Sequence, residues 1–181
     1  MALISKSTIL KYRQISKSVD ETLINQSIND AELLDLKPLL GELLYNDLVT
    51  NIVDAKYQDL MVGKSYIYDG KNYDFKGLEA VLANFSYARY IVFSSFVDTP
   101  FGLVTKNSQD SQAVSESNKR AMSKSAEQTA YSYFNSISDY LNRNTTTYTL
   151  WASCHSERTF KINKISVDND QTKWNGHRWI Y

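Results

Sequence analysis

A chain of 181 residues with 43% hydrophobic and 22% charged side chains has the length and composition of one globular domain. At this size folding buries about 70% of the unfolded surface, so a core forms without disulfide or metal staples. The 20 basic and 20 acidic side chains cancel, which removes a general electrostatic case for nucleic acid or an acidic membrane as the main partner. Cys154 is the only cysteine, so an intrachain disulfide is excluded and a reducing compartment is expected. No apolar run is long enough to span a bilayer. Residues 1–10 lack the apolar segment and cleavage site of a signal peptide, so synthesis in a cytoplasm is expected. Tyrosine is the compositional anomaly, with 13 copies among an aromatic share of 13%; its apolar body and polar tip suit interfaces as well as cores.

In chain order, Ser7 is placed to cap a short first helix. Ser18-Val19-Asp20-Glu21 fits a capping box for a second, whose apolar face runs Leu23, Ile24, Ile28, Ala31, Leu34. Pro38 suits the first turn of a third helix capped by Asp35, with Leu39, Leu40, Leu43, Leu44, Leu48 and Ile52 as its stripe. Tyr57, Leu60 and Met61 continue a helical face to Gly63. Over residues 64–76 the period changes to two: Tyr66, Tyr68, Tyr73 and Phe75 flank Asp69-Gly70, a strong hairpin signal. Residues 78–96 form the most apolar helix, with Leu78, Val81, Leu82, Phe85, Ala88, Val92 and Phe96 inward. Residues 98–114, opened by Pro100 and Gly102, read as a long Ser/Asn/Gln-rich loop with Asp98 and Asp110 as turn formers. Residues 115–141 give the last long helix, with Met122, Ala126, Ala130, Tyr133, Phe134, Ile137 and Tyr140 or Leu141 inward.

After Leu141-Asn142-Arg143-Asn144 the helical period stops. Tyr148-Thr149-Leu150-Trp151 favours β structure, and Phe160-Lys161-Ile162 and Ile165-Ser166-Val167 alternate at period two. The fold expected is therefore mainly α: a bundle of four to five helices over residues 1–144 with an inserted β-hairpin at about 64–76. An extended aromatic arm with some β then covers residues 145–181. Leu40, Leu44, Leu82, Phe85, Val92, Ala130 and Ile137 should share one core. Residues 1–62 carry six basic and nine acidic side chains, whereas residues 145–181 carry five and three. An acidic body and a basic arm are complementary.

The local cluster that most resembles chemistry is Cys154-His155-Ser156-Glu157, whose side chains include zinc ligands and a nucleophile pair. Neighbours on a strand point to opposite faces, so Cys154 and His155 do not converge on one atom, and His177 is the only other histidine. No Gly-rich phosphate loop, paired carboxylates or nucleophile elbow is present. No catalytic residue, metal or cofactor is expected. The tyrosine alternation of the hairpin has the form of a base-stacking platform, but Lys64, Lys71 and Lys76 are offset by Asp69 and Asp74. Core or interface packing is the preferred use. Trp151, Phe160, Ile162, Ile165, Trp174, Trp179 and Tyr181 are read as anchors in a subunit interface, with Tyr66, Tyr68, Tyr73 and Phe75 as a further contact.

Several residue groups recur in a familiar order. They are Leu36-Lys37-Pro38-Leu39-Leu40-Gly41 with Leu44-Tyr45 close behind, the Tyr-rich hairpin, Ala88-Arg89-Tyr90, Asp98-Thr99-Pro100-Phe101-Gly102, the helix ending Leu141-Asn142-Arg143-Asn144, and Leu150-Trp151. This ordered set resembles the head–tail connector, or adaptor, proteins of tailed phages, especially those of Bacteroidetes hosts, crAss-like phages included. The likeness covers most of residues 3–151. It implies a structural, non-enzymatic virion protein of the neck, made in the bacterial cytoplasm, whose copies form a ring, usually of twelve, beneath the portal protein. Its further partners would be the tail or the next neck ring, and double-stranded DNA passing through the channel without sequence-specific binding. A tail-terminator or tail-completion ring is the rival within that class; a small helical nucleic-acid-binding or regulatory protein is the rival outside it.

Overall fold

The computed structural model describes residues 2–94, 96–100, 102–105 and 114–151. Seven α-helices and two separate two-stranded antiparallel ribbons make up this part. The chain is thus mainly helical with an inserted hairpin, as its periodicity dictates.

Helix α1 (Lys6–Tyr12) is capped by Ser5 rather than Ser7. Helix α2 (Glu21–Asp30) is capped by Asp20, whose carboxylate accepts from the Thr22 amide at 2.8 Å, rather than by Ser18. In both cases the stretch offers several capping residues within three positions, and sequence alone does not rank them. Helix α2 runs on without a stop through a π-helical segment (Ala31–Leu36) into α3 (Lys37–Leu40). The Lys37 amide reaches back to the Glu32 carbonyl, five residues away. Pro38 supplies no amide hydrogen to the preceding turn, and the helix widens there instead of ending. Asp35 therefore sits inside a continuous helix and does not cap a new one. The break falls at Gly41 (φ 81), after which come α4 (Glu42–Thr50) and α5 (Ala55–Val62). The leucine-rich stretch is thus divided more finely than its hydrophobic stripe suggests.

Strands β1 (Ser65–Tyr68) and β2 (Lys71–Asp74) pair with Tyr66 opposite Tyr73 and Tyr68 opposite Lys71. Asp69 and Gly70 both have positive φ, 49 and 70°, the signature of a type I′ turn that Asp-Gly favours. The ribbon leaves and re-enters the helical body at Gly63 and Gly77, which lie back to back. A Cβ on Gly63 would come within 2.3 Å of the Phe75 carbonyl oxygen, and one on Gly77 within 2.3 Å of the Met61 carbonyl oxygen. Both glycines also have positive φ, so no side chain fits either position.

Helix α6 (Gly77–Phe93) is central. Leu78, Val81, Leu82, Ala83 and Phe85 are buried around its circumference, and α1, α2, α5 and α7 (Glu116–Arg143) pack on it. Ser123 of α7 donates its hydroxyl to the Ala88 carbonyl at 3.0 Å, fixing the register of these two helices. Leu40, Leu44, Leu82, Phe85, Ala130 and Ile137 do share one core, whereas Val92 is only half-buried. Met122, expected inward, is 44% exposed, because the buried stripe of α7 passes beside it through Lys119, Ser123 and Ala126. The helix α6 also stops at Phe93, and Phe96 belongs to strand β3 (Phe96–Thr99), paired with β4 (Gly102–Thr105). The first part of the expected loop at 98–114 is therefore a second ribbon: the backbone of Asp98 pairs with that of Leu103. Alternating β-favouring residues on either side of Pro100 carry that signal.

The arm expected from residue 145 does not begin there. Residues 149–151 form a helical turn, with the Trp151 amide bonded to the Tyr148 carbonyl at 3.0 Å. Trp151 is 1% exposed. Its ring packs against Phe134, and its Nε1 donates to Asn142 Oδ1 at 2.8 Å. Tyr148 is also buried and donates its hydroxyl to the Lys56 carbonyl at 2.8 Å. Trp151 is thus a core residue of its own body and not a free interface anchor; β-propensity yielded to burial.

Replacing Phe85 by Ala should destabilise the body by about 3–5 kcal/mol in chemical denaturation, the cost of a large buried cavity. A loss below about 1 kcal/mol would contradict the central placement of α6.

Candidate interaction surface

Three polar arrangements stand out on the helical body. The first is the seat of the hairpin. Tyr66, Tyr68 and Tyr73 share the inner face of the ribbon, and Phe75 continues it into the core at 4% exposure. Tyr66 meets Tyr140 edge-on at 4.9 Å between centroids, and Phe75 stacks on Tyr140 at 4.6 Å. The guanidinium of Arg143, in the last turn of α7, lies 4.1 Å from the Tyr73 ring centre, 4.8 Å from Tyr68 and 5.9 Å from Tyr66. Its Nη1 also donates to the Tyr66 hydroxyl at 2.8 Å. A cation over three aromatic faces ties a two-stranded ribbon, marginal by itself, to the helical body. Of the four hairpin residues proposed as a subunit contact, Phe75 is turned inward, Tyr66 and Tyr73 are engaged with Arg143, and Tyr68 is 47% exposed. The outer face presents Ile67 at 75% exposure.

The second arrangement links α4, α5 and the chain after α7. Tyr57 donates its hydroxyl to Asp47, Asn51 donates to the same carboxylate at 2.6 Å, and Lys56 lies 3.6 Å away. The hydrogen bond from Tyr57 is the main reason the Asp47 carboxyl titrates below its usual range. Burial first, and then this same bond, push the Tyr57 phenol above its usual value. The tyrosine is held neutral as a donor, a structural use with no nucleophile in it.

The third arrangement lies where α6 emerges from the core. Arg89 donates from Nε to Asp35 Oδ2 at 2.7 Å and from Nη2 to Oδ1 at 2.9 Å, a bidentate pair between α6 and the π segment. The bonds to Asp35 raise the Arg89 pKa against the opposing effect of burial, and the nearby charges of Asp30 and Glu127 add to it. Two adjoining depressions flank this pair, of about 230 and 290 Å³. Arg89 and Phe93 line both; Val92 and Glu127 line one, and Leu23, Asp30 and Phe96 the other. Phe93 is 58% exposed, and Leu33 and Leu34 of the π segment are 54% and 60% exposed. The Lys119 ammonium sits 5.3 Å over the Phe96 ring. By sequence, Arg89 falls in a motif and Asp35 in a cap. A salt bridge spanning 54 positions leaves no local pattern by which the two could be paired.

Among the described residues no three His, Cys, Asp or Glu side chains converge to hold a metal ion, and no helix is long and apolar enough to cross a membrane. Cys154, His155, Glu157 and His177 lie outside the described residues, as do Asp110 and the proposed anchors Phe160, Ile162, Ile165, Trp174, Trp179 and Tyr181. The model of a family of unknown function, DUF6712, matches residues 36–161. The chain belongs to that family. No curated protein and no solved structure matches it. The DUF6712 match takes in Arg89, Asp35's neighbour Leu36, the hairpin, Arg143 and Trp151, and runs on to Lys161.

Two outcomes test this chemistry, one at the hairpin's seat and one at a buried carboxylate of the π segment. Substituting Arg143 by Ala should speed hydrogen exchange of the hairpin amides, residues 65–74, while the α6 amides stay protected. Equal protection in both proteins would remove Arg143 as the hairpin's anchor. Glu32, 5% exposed, accepts from the Leu3 amide at 2.6 Å, and burial holds its carboxyl above the usual range. The folded state therefore binds this proton more tightly than the unfolded chain does. The resulting stabilisation is complete below the ordinary carboxylate pKa and is lost as pH rises through the folded value. Glu32→Gln should flatten that part of the stability–pH curve, and an unchanged slope would show that another group sets it.

Proposed function

We propose that the chain is a structural virion protein: a ring-forming head–tail connector that docks beneath a portal, extends the DNA channel and offers the tail an attachment surface. The observation that carries this reading is the division at Trp151. The folded body reaches Trp151 as a core residue, and the sequence then continues through residues 152–181 with Phe160, Trp174, Trp179 and Tyr181. Such surplus apolar content calls for cover, and a neighbouring subunit is one source of it. The ordered motifs Leu36–Gly41, Ala88–Tyr90 and Leu141–Asn144 support the same reading through their resemblance to phage adaptors. Exposed apolar side chains on separate elements, among them Leu34, Val53 at 83% exposure, and Ile67, fit a subunit contacted from several sides. A ring of such subunits would serve as a non-enzymatic part of the neck.

The reading as a base-stacking protein is weaker on one specific ground. The tyrosine faces it requires are already occupied, since Tyr66 and Tyr73 stack on each other at 5.6 Å and share the Arg143 guanidinium.

Deleting residues 152–181 tests the proposal directly. The truncated protein should keep its helical circular dichroism and a cooperative thermal transition, yet no longer join portal-containing heads or isolated portal rings. Normal assembly of the truncated chain would sink the anchor role. Retention of single-stranded DNA with steep salt dependence would favour the nucleic-acid reading instead.

A further inference from the structure

The groove at the emerging end of α6 has a chemical match elsewhere in the same sequence. Its lining combines apolar Leu23, Val92, Phe93 and Phe96 with the acidic Asp30 and Glu127 and the neutral polar Gln26, Ser27 and Ser123. The two cations beside it are engaged: Arg89 is held by Asp35, and Lys119 lies over Phe96. A matching ligand is therefore a short segment with alternating apolar and cationic side chains. Residues 158–165, Arg-Thr-Phe-Lys-Ile-Asn-Lys-Ile, have that character, with Arg158, Lys161 and Lys164 interleaved among Phe160, Ile162 and Ile165.

We propose that this groove holds the chain's own segment 160–165 in the free protein. Reach permits it. Trp151 is fixed against Phe134 and Asn142 of α7. Ser123 and Glu127, which line the groove, lie roughly 10–17 Å further along that helix from Phe134 at 1.5 Å per residue. The stretch from Trp151 to Phe160 spans about 30 Å at full extension, enough to cover this distance around the surface. Tethering then supplies an effective concentration on the order of millimolar, so a shallow groove with modest affinity suffices. The DUF6712 match also extends past Trp151 to Lys161, so the first part of this segment belongs to the family's shared unit. Docking here covers Phe93 and the apolar side chains of the segment together, keeping an otherwise adhesive chain unassociated. This inference does not rest on the connector reading; it concerns the isolated protein.

Disulfide trapping in the full-length chain tests it. With Cys154→Ser removing the native thiol, Phe93→Cys combined with Ile162→Cys should oxidise to a cross-linked monomer at a rate independent of protein concentration. That rate should exceed by at least tenfold that of a control pair, Val53→Cys with Ile162→Cys. Leu23→Cys with Ile162→Cys probes the opposite wall, in case loss of Phe93 perturbs α6. Lys161→Glu with Lys164→Glu should cut the rate at least tenfold, and adding Asp30→Lys with Glu127→Lys should restore it. Cross-linked dimers in place of monomers would make a second copy the occupant and overturn the proposal. So would rates equal to the control for both walls.

Discussion

Helix α6 is buried nearly all round over its first three turns, and most of the architecture is set by the need to cover it. A helix apolar around its whole circumference is stable only when surrounded. Here α1, α2, α5 and α7 each contribute a wall. The cover runs out before the helix does. From Arg89 to Phe93 the side chains are half-buried or exposed, and polar ties take over from packing: the Asp35–Arg89 fork and the Ser123–Ala88 bond. The groove is the end of a core that its walls do not fully enclose.

The ends of the hairpin show a second consequence of the same constraint. To pass from α5 to α6 by way of a ribbon, the chain must leave and return at nearly one point on the surface of the bundle. Gly63 and Gly77 meet there with less room between their backbones than a methyl group needs. Residues so far apart in sequence can approach this closely only as glycines. The Arg143–tyrosine contact then sets the ribbon against α7, so the hairpin is clamped at its base and along its inner face. Because these ties use rings rather than strand edges, the outer face of β1 and β2 remains open to solvent, with Ile67 at its centre.

Local period and turn chemistry made part of this fold legible in the sequence. Asp69-Gly70 gave the hairpin, and the stripes of α6 and α7 gave the core pair. The illegible part depended on competition between nearly equal local choices or on distance along the chain. Ser5 and Ser7 differ little as caps. Pro38 is as compatible with a new helix as with a π turn inside an old one. Trp151 comes after threonines and a tyrosine that favour strand, yet the space beside Phe134 and the side-chain oxygen of Asn142 draw it into a helical turn. The candidate groove was invisible for the same reason. Leu23, Asp30, Asp35, Arg89, Phe93 and Glu127 occupy three separate helical segments, and only the packing of α2 and α7 against α6 brings them together.

The location of Trp151 also constrains the residues beyond it. An arm that began at residue 145 would have carried its own first anchor, and its tryptophan would have been free to bind a neighbour. With Trp151 committed to the body, the next segment starts from a fixed point beside Phe134 and Asn142. A fixed origin limits where those residues can go. Within the first ten positions the segment can reach the acidic side chains of Asp30 and Glu127, and its cations Arg158, Lys161 and Lys164 fall within that stretch or just beyond it. The other two tryptophans, Trp174 and Trp179, lie more than twenty residues from the anchor, beyond any such limit. Under the two proposals above, the near part of this sequence covers the body and the far part meets a partner, so one apolar segment has two roles. The division is set by where the core ends.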